Sequence, residues 1–165
     1  MLFTSLSPCS TSAVVLASDT SDSRRRLQRE NGRGGGLESY GMTTVTNSKF
    51  ENCTASLAGG AVYVGSGSST FETVTFTANS AFEGGAIFAQ GGSVTVRDST
   101  FEDNVASSTV GNPDVFARAS ASVQGCGNTG GSDAVAGDCS AAVTISGALL
   151  STVLALGAAA VTLLV

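Results

Sequence analysis

Few residues in this chain could do chemistry, and their spacing restricts what that chemistry could be. Asp98, Glu102 and Asp103 form the acidic cluster of its patterned region. Paired-carboxylate catalysis needs two groups across one substrate. Glu102 and Asp103 are adjacent, so on a strand they would face opposite sides. The chain has no His and no Cys-x-x-Cys, which argues against a zinc site. Gly125-Cys126-Gly127-Asn128-Thr129-Gly130 spells G-x-G-x-x-G, but neither an amphipathic helix nor a βαβ context accompanies it. Gly65-Ser66-Gly67 lacks the lysine of a phosphate loop, and there is no calcium-binding Gly-Gly-x-Gly-x-Asp run. Four cysteines (Cys9, Cys53, Cys126 and Cys139) are too few for a dense disulfide framework, and Cys126 and Cys139 are the pair close enough to expect bridged. Asn52-Cys53-Thr54 is an N-glycosylation sequon, usable in a eukaryotic secretory setting if Asn52 faces outward. The residue inventory reads as non-enzymatic and needs no cofactor. A fragment of a polysaccharide-active β-helix enzyme is the competing reading.

The elements that would position these residues come from an internal repeat. Phe50-Glu51-Asn52-Cys53 leads to Gly59-Gly60-Ala61-Val62-Tyr63. Phe76-Thr77-Ala78-Asn79 leads to Gly84-Gly85-Ala86-Ile87-Phe88, and Phe101-Glu102-Asp103-Asn104 opens a third copy. The phenylalanines recur after 26 and 25 residues (76−50, 101−76) and the glycine pairs after 25 (84−59). A fixed period of this length marks a solenoid. The runs between glycines, such as Thr73-Val74-Thr75-Phe76 and Ser93-Val94-Thr95-Val96, alternate with period two and are rich in β-branched residues. Short strands and turns at this period predict the coils of a parallel β-helix stacked at roughly 4.8 Å. Phe50, Phe76 and Phe101 are then expected inside, stacked coil on coil. Asn79 and Asn104 fall at a bend, where a side-chain amide satisfies backbone groups, and Cys53 departs from that Asn position in the first copy. Gly59-Gly60 and Gly84-Gly85 mark a bend needing positive φ or close backbone approach.

At these residues the chain resembles the repeats of the chlamydial polymorphic outer membrane proteins, which pair a Gly-Gly-Ala-Ile motif with a Phe-x-x-Asn motif. Gly84-Gly85-Ala86-Ile87 and Phe76-Thr77-Ala78-Asn79 match both, and residues 34–117 carry the likeness. The resemblance implies a right-handed parallel β-helix exposed at a cell surface, with an adhesin-like role. Those bacterial proteins end in a translocating β-barrel, for which this chain has no room.

The expected organisation is all-β: a disordered or linker segment over 1–33, about three β-helix coils over 34–117, a Gly/Ser/Ala-rich linker over 118–140 and a hydrophobic helix over 141–165. The formal charge is −5. Five of the eight basic residues lie at Arg24, Arg25, Arg26, Arg29 and Arg33, and residues 34–140 hold three basic residues against ten acids. An acidic solenoid argues against nucleic acid as a partner. The uncharged tail is long enough to cross a bilayer as a helix. Two readings of it stand. One is a GPI-attachment signal, with Gly130, Gly131, Ser132 or Asp133 as the attachment residue; the other is a retained membrane helix. Either implies a membrane-anchored protein on the extracellular side, with a surface protein or polysaccharide as ligand. Pro113 and a degraded third repeat predict the end of the stack. No cap is legible before Gly34, so an open β-helix edge is expected there, to be covered by upstream sequence or by self-association.

Overall fold

The computed structural model describes residues 9–16, 32–131 and 143–146. Among these the regular elements are all strands. They are β1 (Ser10–Leu16), β2 (Leu37–Ser39), β3 (Thr43–Glu51), β4 (Val62–Val64), β5 (Ser68–Thr77), β6 (Ser80–Ala81) and β7 (Ile87–Ala89). There follow β8 (Gly92–Arg97), β9 (Thr100–Glu102), β10 (Val105–Ala106), β11 (Val115–Ala117), β12 (Ala121–Cys126) and β13 (Val143–Ser146).

The chain winds through three walls. The first is the four-stranded sheet β2-β4-β7-β11, with all neighbours parallel. The second is the long sheet, in which β3, β5, β8 and β12 run parallel and β9 continues the β8 rung against β5. The third is narrow: β6 pairs β10 in parallel, and an isolated Thr54↔Ser80 bridge extends it by one rung. Four rungs on the first wall make about three turns of a solenoid. The rungs Leu37, Val62, Ile87 and Val115 are 25, 25 and 28 residues apart. The three extra residues of the last turn loop out around Ser108–Gly111, where the Gly111 N–H bonds back to the Ser108 carbonyl.

The period-two pattern sends every second side chain into the bore. Val45, Phe50, Phe71, Val74, Phe76, Val94, Val96 and Phe101 come from the long wall, and Leu37, Val62, Val64, Ile87 and Val115 from the first. Each coil alone has too few apolar groups to form a core, so burial comes from the coil above and the coil below. The glycine pairs shape the bend into the first wall. Gly59 and Gly84 have φ of 65° and 64°. Gly60 needs space instead of an unusual dihedral: a Cβ there would run into the carbonyl oxygen of Gly85 on the next coil.

Four features depart from the sequence reading. Residues 10–16, expected in a disordered leader, form β1, which lies antiparallel on the free edge of β3. The first coil of the long wall is therefore not open: an unpaired edge strand offers N–H and C=O groups that a passing segment can satisfy. The stack also does not end at 117. Val115, Phe116 and Ala117 pair with Ile87, Phe88 and Ala89, and β12, expected in a linker, adds a full rung against β8. Pro113 is no obstacle because it stands opposite Gly85, where the equivalent N–H points to the following coil (Gly60 to Gly84, Gly85 to Asn112). Among the described residues no further rung follows Pro113 on this wall, so no acceptor there is left without a donor, while the Pro113 carbonyl still accepts from Ala86 at 3.0 Å. Finally, Val143–Ser146, inside the stretch expected to be helical, pairs antiparallel with β12. The rest of 141–165 lies outside the described residues, and no described helix is long and apolar enough to cross a membrane.

Candidate functional site

The predicted ladder residues meet inside the solenoid. Phe50 and Phe76 stack at 5.4 Å between centroids, and Phe76 and Phe101 at 5.0 Å. Phe71 meets Phe76 edge-on. Stacked rings at this separation add to the area they bury. Beside them runs a polar ladder. The Asn79 side chain accepts from the Cys53 N–H at 3.0 Å and donates to the Phe50 carbonyl at 3.1 Å and to Asn104 Oδ1 at 3.0 Å. Asn104 accepts from the Asn79 N–H and donates to the Phe76 carbonyl and to Asp114. Each amide thus satisfies the bend of the coil before it, which is what a buried asparagine requires.

A second polar ladder, which the repeat reading missed, supports the bend in the middle of the long wall. Ser99 Oγ accepts from the Val74 N–H, and Asn128 Oδ1 accepts from the Ser99 N–H. Its trace in sequence was the recurrence of Ser48, Val74, Ser99 and Asn128 one coil apart, obscured because one member is apolar. The outward corner residues are left-handed in register. Asn47, Thr73, Asp98 and Gly127 have φ of 47°, 56°, 48° and 66°, and Asn52, Ala78 and Asp103 have φ of 55°, 53° and 53°.

Sequence reasoning also missed the cystine at the N-terminal end. Cys9 is disulfide-bonded to Cys53, across 44 residues. Because β1 pairs Ser10 with Glu51, the residue before it falls beside the turn that carries Cys53. Cys53 is fully buried at the ladder position, and Cys9 packs on the core next to Phe50 and Gly36. The pairing was illegible because the strand that delivers Cys9 carries no copy of the repeat. Cys126 is also disulfide-bonded; Cys139, its expected partner, lies outside the described residues. Gly130 and Gly131 follow the last rung in left-handed conformations, and Ser132 and Asp133 lie outside the described residues.

Two outer faces carry grooves. On the first wall the central residues Glu38, Tyr63, Phe88 and Phe116 form one column. Tyr63 and Phe88 stack at 5.5 Å, and Phe88 and Phe116 at 5.6 Å. Guanidinium groups lie over the rings, Arg33 at 5.1 Å from the Tyr63 centroid and Arg118 at 5.6 Å from that of Phe88. Arg118 also pairs with Glu83 at 3.2 Å. With exposed Leu57 and Phe82 on its rim, this groove encloses about 260 Å³. Next to the column Tyr40 donates to Glu38 at 2.6 Å. Partial burial, then this bond to an acidic acceptor, push the Tyr40 hydroxyl up to about 12. The second groove, about 340 Å³, lies on the long wall, where Glu72 stands opposite Arg97 and Asp98 is on its rim. Of the acidic cluster singled out in sequence, Asp98 lines this groove. Asp103 turns away at the next corner, and Glu102 points to solvent from β9. Among the described residues no three His, Cys, Asp or Glu side chains converge to hold a metal ion.

A family model for the right-handed β-helix region matches residues 6–148. The chain belongs to the right-handed β-helix family. No curated protein and no solved structure matches it significantly. The match covers both segments that the repeat alone did not reach: β1 with its cystine, and β12 with β13.

Proposed function

We propose that this right-handed β-helix is a non-enzymatic protein of the cell surface or cell envelope, held at a membrane and used for adhesion or structural display. The observation that carries the reading is the Cys9–Cys53 cystine. A cystine that closes the end of the fold belongs in an oxidising compartment, not in a cytosol that keeps thiols reduced. The uncharged tail, as a GPI signal or a retained membrane helix, supports the same location, as does the likeness to polymorphic outer membrane protein repeats. The ligand-facing surface in this reading is the groove of the first wall, where exposed Leu57 and Phe82 and the guanidinium groups of Arg33 and Arg118, laid over the buried rings of Tyr63 and Phe88, suit a surface protein or a polysaccharide. The same wall offers a route to self-association, since β2 and β11 have no further strand beside them among the described residues.

Surface labelling of intact cells, followed by treatment with phosphatidylinositol-specific phospholipase, tests the location. Labelled protein released by the lipase supports a GPI anchor. Labelled protein retained with an intact C-terminal peptide supports the membrane helix. A chain protected from label and found with free Cys9 and Cys53 thiols refutes the proposal. The polysaccharide-active alternative has one observation in its favour: Glu72, Arg97 and Asp98 gathered at one groove of the long wall. Release of reducing ends from pectin or alginate, abolished by Glu72→Gln, would decide for it.

A further inference from the structure

The sequon Asn52-Cys53-Thr54 occupies a corner where the two possible roles of Asn52 separate. The inward position of the first copy is taken by Cys53, whose N–H bonds to Asn79 Oδ1. Asn52 is instead the exposed corner residue, and Thr54 beside it is exposed as well. The column shared with Ala78 and Asp103 turns outward on every coil. We infer that Asn52 is a site of N-linked glycosylation, modified before the Cys9–Cys53 disulfide closes. This rests on the reading above that the chain passes through an oxidising secretory compartment.

The order follows from the folded geometry. In the finished coil the Asn52 N–H donates to the Thr77 carbonyl at 3.1 Å, the Cys53 N–H is held by Asn79 at 3.0 Å, and Cys53 Sγ is bonded to Cys9. Asn52 itself sits at φ 55°. A tripeptide tied at three points in a left-handed turn cannot straighten into a transferase. The unfolded nascent chain can, because Thr77 and Asn79 emerge later than the sequon. In the transfer, Asn52 Nδ2 attacks the anomeric carbon of a lipid-pyrophosphate-linked oligosaccharide. The new C–N bond forms as the C–O bond to pyrophosphate breaks; the lipid pyrophosphate leaves with the electron pair, and the amide proton goes to a base on the transferase. Disulfide closure then removes two protons and two electrons from the Cys9 and Cys53 thiols, accepted by a disulfide oxidoreductase of the same compartment. The folded corner leaves room for the sugar because the Asn52 side chain points away from both ladders.

The test is expression of the full chain in a eukaryotic secretory host, with the Asn52 peptide weighed before and after peptide N-glycosidase treatment. The expected result is a glycosidase-sensitive mass that is lost in Asn52→Gln and in Thr54→Ala. Cys9→Ser, which prevents closure, should leave occupancy equal to or above that of the parent. A fall in occupancy in Cys9→Ser overturns the order of events. Asp98→Asn serves as the control, because it turns Asp98-Ser99-Thr100 into a second acceptor at another exposed corner. A glycan at that new acceptor with none at Asn52 refutes the site and leaves the surface reading intact. No glycan at either refutes both, since the chain then never meets the transferase.

Discussion

Replacing Asn79 tests whether the polar ladder, as well as the phenylalanine stack, holds the coils in register. Asn79 is fully buried and serves three neighbours at 3.0–3.1 Å through its side chain. In Asn79→Ala the Cys53 N–H loses its acceptor, at a cost of about 1–3 kcal/mol for an unsatisfied buried donor. The Phe50 carbonyl and Asn104 Oδ1 each lose a donor, about 0.5–1.5 kcal/mol apiece. The sum is about 2–6 kcal/mol, a large part of the stability of a domain this size. Asn79→Asp separates the contributions. It keeps an acceptor for Cys53 but faces a carboxylate toward two acceptor oxygens. Burial and those oxygens favour its protonated form, so its folded pKa lies above the unfolded value. The variant should therefore be most stable at acid pH and lose stability as pH rises through the folded pKa. Urea denaturation followed by far-ultraviolet circular dichroism reads both effects, with an unchanged slope showing that the same surface unfolds. A loss under about 1 kcal/mol for Asn79→Ala, or a pH-independent Asn79→Asp, would refute the ladder as a stabilising element.

Further outcomes follow from the same geometry. Cys9→Ser opens a loop of 44 residues and should cost about 4 kcal/mol by loop-closure entropy, read as a lower denaturation midpoint. Phe76→Ala removes a ring packed against Phe50, Phe71 and Phe101 and should cost about 3–5 kcal/mol in the same assay. Thr73→Asn should stabilise by about 1 kcal/mol, since a β-branched residue is strained at φ 56° and its column neighbours there are Asn47 and Asp98; a loss of stability would count against that strain. Tyr40, raised from 10.0 to about 12, favours the fold while protonated, so its contribution is present below pH 10 and fades as pH climbs toward 12. Ultraviolet titration should show a late Tyr40 tyrosinate transition that moves earlier in Glu38→Gln.

The sequence by itself carried the architecture, because a solenoid repeats its local physics once per coil. Phe50, Phe76 and Phe101, with Asn79, Asn104 and the glycine pairs, recur at a period that places like on like, and strand alternation decides which of them face the bore. Outer columns could be read the same way: Tyr63, Phe88 and Phe116 follow from counting 25 and 28 residues, although nothing in that count says that Arg33 and Arg118 fold over them. The ends needed the tertiary structure. A terminal coil is covered by a segment that is not a copy of the repeat, so periodicity has no information about it. β1 is antiparallel to the coil it covers, and its partner is selected by the unsatisfied edge of β3 rather than by a motif. The Cys9–Cys53 pairing follows from that docking, as distance in space brings together residues that spacing in sequence keeps 44 apart. Pro113 illustrates the same division: its sequence forbids a donor, but only its place on the last described rung of the first wall decides that no acceptor among the described residues waits for one.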